Sequence, residues 1–309
     1  MKFFTSVPLL FTVLFCNLHK LSAQYYFYDD KYYDKAVVFE LGASAGGMNC
    51  FTDIGGKKGT GKKFIKDYNL KNTQFSGGVY VAANFKDAIC LRLEGTFGQV
   101  KAYDSILKSV APSTFGRYER NLSFRSSIAE LMILAEIHPL YLFGKHDDDW
   151  QPPVVSPYLL AGIGFFKFNP QAQQNNVWVN LQPLHTEGEG FAAYPERKEY
   201  KLNQTNVPVG VGFRYSLSAV LNVRAEFVYR ILHTDYLDDV STTYINPAEF
   251  YNNLTGAYLS QALALNKRST NTSVWKTDPG SQRGNPKTND SYFSFNLKIG
   301  LTFGRQRIK

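Results

Sequence analysis

The sequence lacks any apolar run long enough to cross a bilayer as a helix, and its mean hydropathy is only −0.26. The longest apolar stretch, residues 3–15, falls short of the ~20 residues that a spanning helix needs. A helical membrane protein is therefore excluded. Lys2 precedes this stretch and the small residues of 21–23 (LSA) follow it, which is typical of a secretory signal peptide. We expect residues 1–23 to be cleaved and residues 24–309 to form a single domain.

Cysteine is scarce, with 3 in 309 residues, and Cys16 lies inside the expected signal peptide. The remaining two, Cys50 and Cys90, fall at opposite ends of the strands assigned below. A disulfide needs closely spaced Cα atoms, so this placement argues against a Cys50–Cys90 bond.

Massed charge of one sign is also absent. The formal net charge is +8, and loss of Lys2 and Lys20 with the signal peptide leaves 32 basic against 26 acidic residues, about +6. This modest excess is spread along the loops, and an exported protein rarely meets nucleic acid. We expect no nucleic-acid partner.

What the sequence has in abundance is alternation of apolar and polar residues. In the last such segment, Phe293, Phe295, Leu297 and Ile299 alternate with polar residues, as on a strand with one apolar face. The predicted strands are 36–45, 75–85, 88–102, 122–139, 156–168, 205–216, 221–234 and 290–304. The connections between them alternate strictly between short and long, as periplasmic turns and extracellular loops do. The sequence therefore predicts an all-β protein, an eight-stranded antiparallel transmembrane β-barrel with short periplasmic turns and long extracellular loops, over residues 24–309.

The polar faces of these strands carry charge, and we assign that face to the lumen. The inward residues are Glu40, Arg92, Glu94, Glu130, Glu136, Arg214, Arg224, Glu226, Arg230 and Lys298. Five acids and five bases in a narrow barrel must pair, because an unpaired buried charge costs several kcal/mol. We expect a salt-bridge network that plugs the lumen.

The alternation alone fits a soluble, lipocalin-like barrel equally well, with the charges outside and the apolar face inside. Two features favour the membrane barrel: the four long loops lie at one end, and aromatic residues make up 15% of the chain, as girdles at both rims require. We expect the protein to lie in the cell outer membrane, in contact with its lipid and lipopolysaccharide.

The longest loop contains a helix signal. Asn246 is a capping residue, Pro247 suits the first helical position, and Glu249 lies three residues after the cap. The pattern predicts one helix over 246–266 that lies across the extracellular mouth, followed by irregular chain over 267–289.

Several short strings resemble the PorG-like outer-membrane barrels. They are residues 40–42 (ELG), 49–55 (NCFTDIG), 118–124 (YERNLSF), 235–241 (DYLDDVS) and 296–301 (NLKIGL). The resemblance implies an eight-stranded outer-membrane protein similar to components of the type IX secretion system, which anchor a periplasmic ring of lipoprotein and partner subunits. The chain departs from that family in its longer third and fourth loops and in a basic tail, 305–309, beyond the closing aromatic residue.

Three weaker motifs invite a chemical role. Residues 56–63 (GKKGTGKK) approach a P-loop, but Lys63 stands where Ser or Thr must bind magnesium, so either a solvated basic loop or contact with lipopolysaccharide phosphates explains them better. The run His185, Glu187 and Glu189 could bind a metal or act as a base and its orienting group, but no nucleophile accompanies it, and a lone His is more often a surface residue. Asp235, Asp238 and Asp239 lack the spacing of a calcium loop and are better read as capping residues. We therefore expect no enzyme activity, no cofactor and no catalytic, cofactor-binding or metal site.

Two functional hypotheses remain open. The first is a plugged outer-membrane barrel with a structural or docking role, as a type IX secretion system (PorG-like) component that binds periplasmic ring subunits through the turn 145–150 and the Tyr-rich lead 25–33. The alternative is a surface receptor or adhesin that acts through loops 46–74, 169–204 and 235–289.

Overall fold

The computed structural model describes residues 32–33, 36–55, 69–114, 116–143 and 153–307. The expected signal peptide, the P-loop-like segment 56–63 and the turn 145–150 lie outside these residues, as does most of the lead 25–33.

Eight long strands form a closed antiparallel barrel, which confirms the predicted fold. In chain order the strands are β1 (Tyr32–Tyr33), β2 (Val37–Phe51), β3 (Gln74–Phe85), β4 (Ile89–Tyr103), β5 (Ser123–Ile137), β6 (Val155–Lys167), β7 (Pro170–Gln174), β8 (Val177–Asn180), β9 (Asn203–Ser216), β10 (Leu221–Leu232), β11 (Ser291–Phe303) and β12 (Gln306–Arg307). The barrel runs β4-β3-β2-β11-β10-β9-β6-β5, and pairing of β4 with β5 closes it. The short pair β1–β12 joins the two ends of the described chain.

The connections place the long loops together. We call the end that carries residues 52–55, 69–73, 104–114, 116–122, 168–202 and 233–290 the loop end, and the opposite end, with residues 86–88, 138–143, 153–154 and 217–220, the turn end. The loop-end segments 52–55, 104–114, 116–122, 168–202 and 233–290 pack together and are called the cap. The helices are α1 (Arg117–Arg120), α2 (Pro139–Phe143), α3 (Ala248–Asn253) and α4 (Gly256–Asn266), with 3₁₀ turns at Leu70–Asn72, Asp104–Ser113 and Gln182–Leu184. No helix among the described residues is long and apolar enough to span a membrane.

The barrel has an apolar outer surface and a polar interior, as the alternation predicted. Phe295 and Ile299 of β11 are 57% and 59% exposed, whereas Arg92 and Glu226 are 0% and 1% exposed. The inverted, soluble arrangement is therefore wrong for this chain. A barrel that exposes its apolar face in this way is suited to a surrounding of lipid.

Glycines let large side chains fit inside so narrow a barrel. A Cβ atom at Gly42 would lie 2.4 Å from the ring of Tyr80, and one at Gly212 would lie 2.4 Å from the ring of Tyr158. Each tyrosine thus lies against glycine backbone on a neighbouring part of the wall, because any larger residue would displace the ring.

Two details differ from the sequence predictions. The single helix predicted over 246–266 is wrong, since the chain is extended at Leu254 and takes a positive φ of 58° at Gly256, which divides it into α3 and α4. The hairpin β7–β8 was not predicted. Its turn residues, Asn175 and Asn176, both adopt positive φ, as a tight two-residue hairpin requires.

Candidate functional site

The lumen at mid-barrel is filled by ion pairs centred on Arg92. Its guanidinium lies 3.0 Å from the Glu94 carboxylate, 2.6 Å from Glu136 and 2.8 Å from Glu226. Lys298 approaches the lumen from β11, with Nζ 2.5 Å from Glu94 and 2.8 Å from Glu226. Two cations thus share three carboxylates, and all five side chains are buried.

A second group of pairs lies toward the turn end. Arg224 lies 2.6 Å from Glu40 and 2.8 Å from Glu136, so Glu136 links this group to Arg92. The Tyr80 hydroxyl donates to Glu40 at 2.5 Å, which gives this carboxylate a second partner. His138 lies beside the same network, with Nε2 3.5 Å from Glu136 and Nδ1 3.1 Å from the Ser156 hydroxyl.

A third group lies toward the loop end. Arg230 contacts Glu130 at 3.2 Å and donates to the Ser294 hydroxyl at 2.6 Å. Glu130 also accepts hydrogen bonds from the Tyr292 hydroxyl and the Asn206 amide, both at 2.8 Å.

Arg214 is separated from these groups. Its carboxylate partner is Asp87 in the turn between β3 and β4, at 3.0 Å, and Asp87 also lies 3.2 Å from Arg305. The structure therefore places all ten predicted residues inside the barrel and brings nine of them into the three groups above, while Arg214 lies at the turn-end mouth.

Four residues that contact the lumenal charges were not predicted from the sequence. Tyr80, Tyr158 and Tyr292 each donate to a lumenal carboxylate, and all three occupy the inward register, so the alternation contained the signal that identifies them. Asp87 lies in a turn, where no periodic pattern indicates which way a side chain points.

The loop end of the barrel is closed by an apolar cluster that joins the barrel to the cap. Met48, Phe124 and Phe166 of the strands pack with cap residues such as Phe168 and Leu237. A second apolar cluster lies within the cap and includes Leu184, Phe191, Ile245, Phe250 and Leu265. The described parts of the four long connections therefore pack together over the lumen rather than forming separate loops.

Two buried arginines hold the cap together. Arg120 lies 2.8 Å from Asp104 and also donates to the backbone oxygens of Asp53 and Arg283, both at 2.8 Å. Arg283 lies 2.9 Å from Glu187 and donates to the backbone oxygen of Asp239 at 2.6 Å. Each arginine thus connects segments that are far apart in the sequence.

The run His185, Glu187 and Glu189 has a structural place in this cap. Glu187 accepts hydrogen bonds from the backbone N–H groups of Ser241 and Thr242, besides pairing with Arg283. Glu189 is buried, and burial raises the pKa of its carboxyl group to about 8. Both acids are buried because the cap folds over them, and His185 beside them is half-buried rather than an exposed surface residue.

A cluster of aspartates lies where the cap meets the strands. Burial, with a smaller contribution from the neighbouring carboxylates, raises the pKa of Asp235 to about 9 and that of Asp238 to about 8. Burial likewise raises the pKa values of Asp53 and Asp290. Asp238 accepts from the backbone N–H groups of Ile54 and Val240, both at 3.0 Å, as a capping residue does. Among the residues that the structure describes, no group of three or more His, Cys, Asp or Glu is arranged to hold a metal ion.

Three of the strings that resemble PorG-like proteins, 49–55, 118–124 and 235–241, meet at this junction, whereas 40–42 and 296–301 lie on the neighbouring strands β2 and β11. Ile54 of the second string donates to Asp238 of the fourth, and Arg120 of the third donates to the Asp53 backbone of the second. These three strings share a structural task, which is to join the loop end of the strands to the cap.

The barrel closure and the outward apolar surface settle the architecture. The chain has an outer-membrane β-barrel fold. Comparison with solved structures finds Neisserial surface protein A (10% identity, 87% of this chain and 100% of that one, TM-score 0.39). It also finds Ail, the attachment invasion locus protein of Yersinia pestis (10%, 87% and 100%, TM-score 0.36), and the N-terminal β-barrel domain of Pseudomonas aeruginosa OprF (11%, 85% and 97%, TM-score 0.32).

These structures are outer-membrane barrels, and the fold of this chain is established by its own strand pairing. No protein-family model matches the chain, and no curated protein matches it by sequence. The likeness to PorG-like proteins therefore rests on the short strings alone.

Proposed function

We propose that this protein is a non-conducting barrel of the outer membrane whose role is structural: it anchors other proteins. The observation that supports this most directly is the filled lumen. Ion pairs occupy it from Glu40 to Arg230, and the apolar cluster closes its loop end. A channel needs a continuous water-filled path, and a packed, paired interior does not provide one.

In the proposed orientation in the membrane, each end of the barrel contacts a different compartment. The outward apolar surface contacts outer-membrane lipid, the cap faces the cell exterior with lipopolysaccharide around it, and the turn end faces the periplasm. The turn end is also where the two ends of the described chain pair, Tyr32 with Arg307 and Tyr33 with Gln306.

The docking partners that we propose are periplasmic ring subunits of a type IX secretion system, as the PorG-like strings suggest. The turn end offers a fixed surface for this, because Asp87 is held by both Arg214 and Arg305, and Arg305 also donates to the backbone oxygen of Ala219 in the last short turn. Three separate segments are thus held in one arrangement, which suits a surface that must present a constant shape to a partner.

The alternative, a surface receptor or adhesin, is supported by a different observation. The cap exposes aromatic side chains of α3 and α4, with Tyr251 64% and Tyr258 55% exposed. Large exposed aromatic residues on an ordered surface are common where one protein binds another.

Site-specific photo-crosslinking in intact cells distinguishes the two. A crosslinker at Val220, which lies at the turn end and is 43% exposed, should capture a periplasmic subunit, and one at Tyr258 should capture none. Loss of the Val220 product when residues 145–150 are replaced by Gly and Ser would support docking through this face. Capture from Tyr258 alone would favour the receptor, and capture from neither position would count against both functions.

Two measurements test the barrel itself. Unboiled outer-membrane protein should migrate differently from boiled protein on a gel, and the purified protein should show no conductance in a planar bilayer. Steady single-channel currents would refute the plugged lumen.

A further inference from the structure

A groove of about 590 Å³ opens on the outer wall of the barrel across β4, β5, β6 and β9. Its floor is formed by Gly95 and Ala129, and larger apolar side chains, Phe97, Leu131 and Phe165, form its sides. In the strand register Gly95 pairs with Leu131, and Phe97 pairs with Ala129, so small and large residues are offset on adjacent strands. A Cβ atom at Gly95 would have no neighbour within 4 Å, which shows that the depression is open above the floor.

The groove lies where the apolar outer surface ends. On β6 the outward residue after Phe165 is Lys167, and on β9 the facing residues are Asn203 and Thr205. An apolar depression that opens toward polar residues at its loop-end side has the polarity of a lipid molecule, with its tail toward the barrel middle and its head toward the rim.

The rim above the groove is basic. Lys167 pairs with Ala129 of the floor, and Lys101 pairs with Arg125 four residues farther toward the loop end, a rise of about 13 Å along the strand. The guanidinium of Arg125 lies 3.9 Å from the ring centre of Trp178 and donates to the Gln171 side chain at 3.0 Å. Within the described residues, none of these three cations forms an ion pair with a carboxylate.

This basic rim is confined to one side of the barrel. Read by the alternation, the outward positions of β2, β3, β9, β10 and β11 contain no Lys or Arg, and no outward position of any barrel strand is Asp or Glu. The three basic residues therefore lie on the same wall as the groove, which Lys167 lines, and no outward acid on the barrel strands offsets their charge.

We propose that this wall binds one molecule of lipid A, the phosphorylated glycolipid of the outer leaflet, as a specific ligand. One acyl chain lies in the groove over Gly95 and Ala129, and a phosphate of the sugar head contacts Lys167 with Lys101 and Arg125 above it. Ammonium and guanidinium groups both bind phosphate strongly, and guanidinium does so with two parallel hydrogen bonds. The inference rests on the proposed membrane placement, because the groove faces the outer leaflet only if the loop end faces the cell exterior.

Native mass spectrometry of the full chain, released gently from detergent, tests this. The probes are purified lipid A, the same lipid after removal of its phosphates, and phosphatidylglycerol. The wild type should retain one lipid A at concentrations at least tenfold below those needed for either other lipid.

Two changes address the groove and the rim separately. Gly95→Leu fills the groove without a clash and should weaken lipid A binding at least tenfold, and Lys167→Gln should weaken binding of lipid A but not of its dephosphorylated form. The matched control is Ala45→Leu, an outward and exposed position on the opposite wall, which should bind as the wild type does.

Equal binding of phosphorylated and dephosphorylated lipid, equal binding of phosphatidylglycerol, or wild-type binding by Gly95→Leu would each overturn the inference. Heat-modifiable migration of the same samples separates this failure from failure of the proposed function. A protein that migrates as a folded outer-membrane barrel but shows no lipid preference contradicts only the lipid site.

Discussion

The pairing of Arg230 with Glu130 allows a quantitative test of the filled lumen. Both side chains are buried, and among the described residues Arg230 is the only cation in contact with Glu130. Arg230→Met therefore leaves an unpaired carboxylate inside the barrel, which costs about 3–5 kcal/mol.

A second substitution should restore much of that loss. Gln at position 130 keeps an acceptor for Tyr292 and an oxygen near Asn206 but carries no charge. What stays lost in Arg230→Met/Glu130→Gln is the pair of Arg230 hydrogen bonds to Ser294 and the Val228 backbone, together about 1–2 kcal/mol. The double variant should thus be about 1–4 kcal/mol more stable than Arg230→Met alone.

The measurement is urea unfolding in lipid vesicles, with the folded fraction read from the gel migration of unboiled samples. Arg305→Met, at the partly exposed turn end, serves as a control and should cost less than about 1 kcal/mol. A double variant no more stable than Arg230→Met would refute the reasoning, because it would mean that the charge left behind is not what destabilises the barrel.

Three further outcomes follow from the cap and the cysteines. The pKa values of Asp235 and Asp238 are raised to about 9 and 8, so protonation of these carboxyl groups stabilises the folded cap fully below about pH 4, and this stabilisation is lost as the pH rises through 8–9. Protease cleavage within 233–290 should therefore be faster at pH 9 than at pH 6. A cleavage rate that does not change with pH would contradict the raised pKa values. Arg283→Met removes the cation that pairs with Glu187 and should speed the same cleavage several-fold while leaving the heat-modifiable migration unchanged. If the heat-modifiable migration were lost as well, the cap and the barrel would fold as one unit. Cys50 and Cys90 are free thiols, and Cys90 is buried whereas Cys50 is half-buried; a maleimide should therefore label Cys90 only after unfolding, and an intrachain disulfide in the non-reduced protein would contradict the structure.

The barrel was predictable from sequence because its period is short and its two faces differ so strongly in polarity. One residue of slip would move every side chain to the opposite face, so the alternation specified both the strands and the orientation of the lumenal charges. The prediction is wrong where the alternation is interrupted. Gly46 and Gly47 break the pattern, so the predicted first strand ends at residue 45, whereas β2 continues to Phe51. The unpredicted strand β7 has no apolar alternation at all.

The cap was largely beyond such reasoning. Its ion pairs join residues remote in sequence, with Arg120 and Asp104 16 positions apart and Arg283 and Glu187 96 apart. Neither pair shares an element whose period relates the two partners. The capping pattern at Asn246 did predict where a helix starts, and its side chain accepts a hydrogen bond from the Ala248 N–H at 3.1 Å. A capping pattern is local, however, so it does not predict how the loop folds over the buried acids of the cap.

The last strand completes both the wall and its ionic filling. Strand β11 joins the first barrel strand along a ladder from Ser291↔Phe51 to Phe303↔Phe39, and it alone supplies Lys298, which contacts Glu94 on β4 and Glu226 on β10. Without β11, the inward positions of the other seven strands would hold five acidic residues against four basic ones, and an edge of the sheet would be open on either side. The same strand therefore completes the backbone pairing of the wall and the charge balance at its centre.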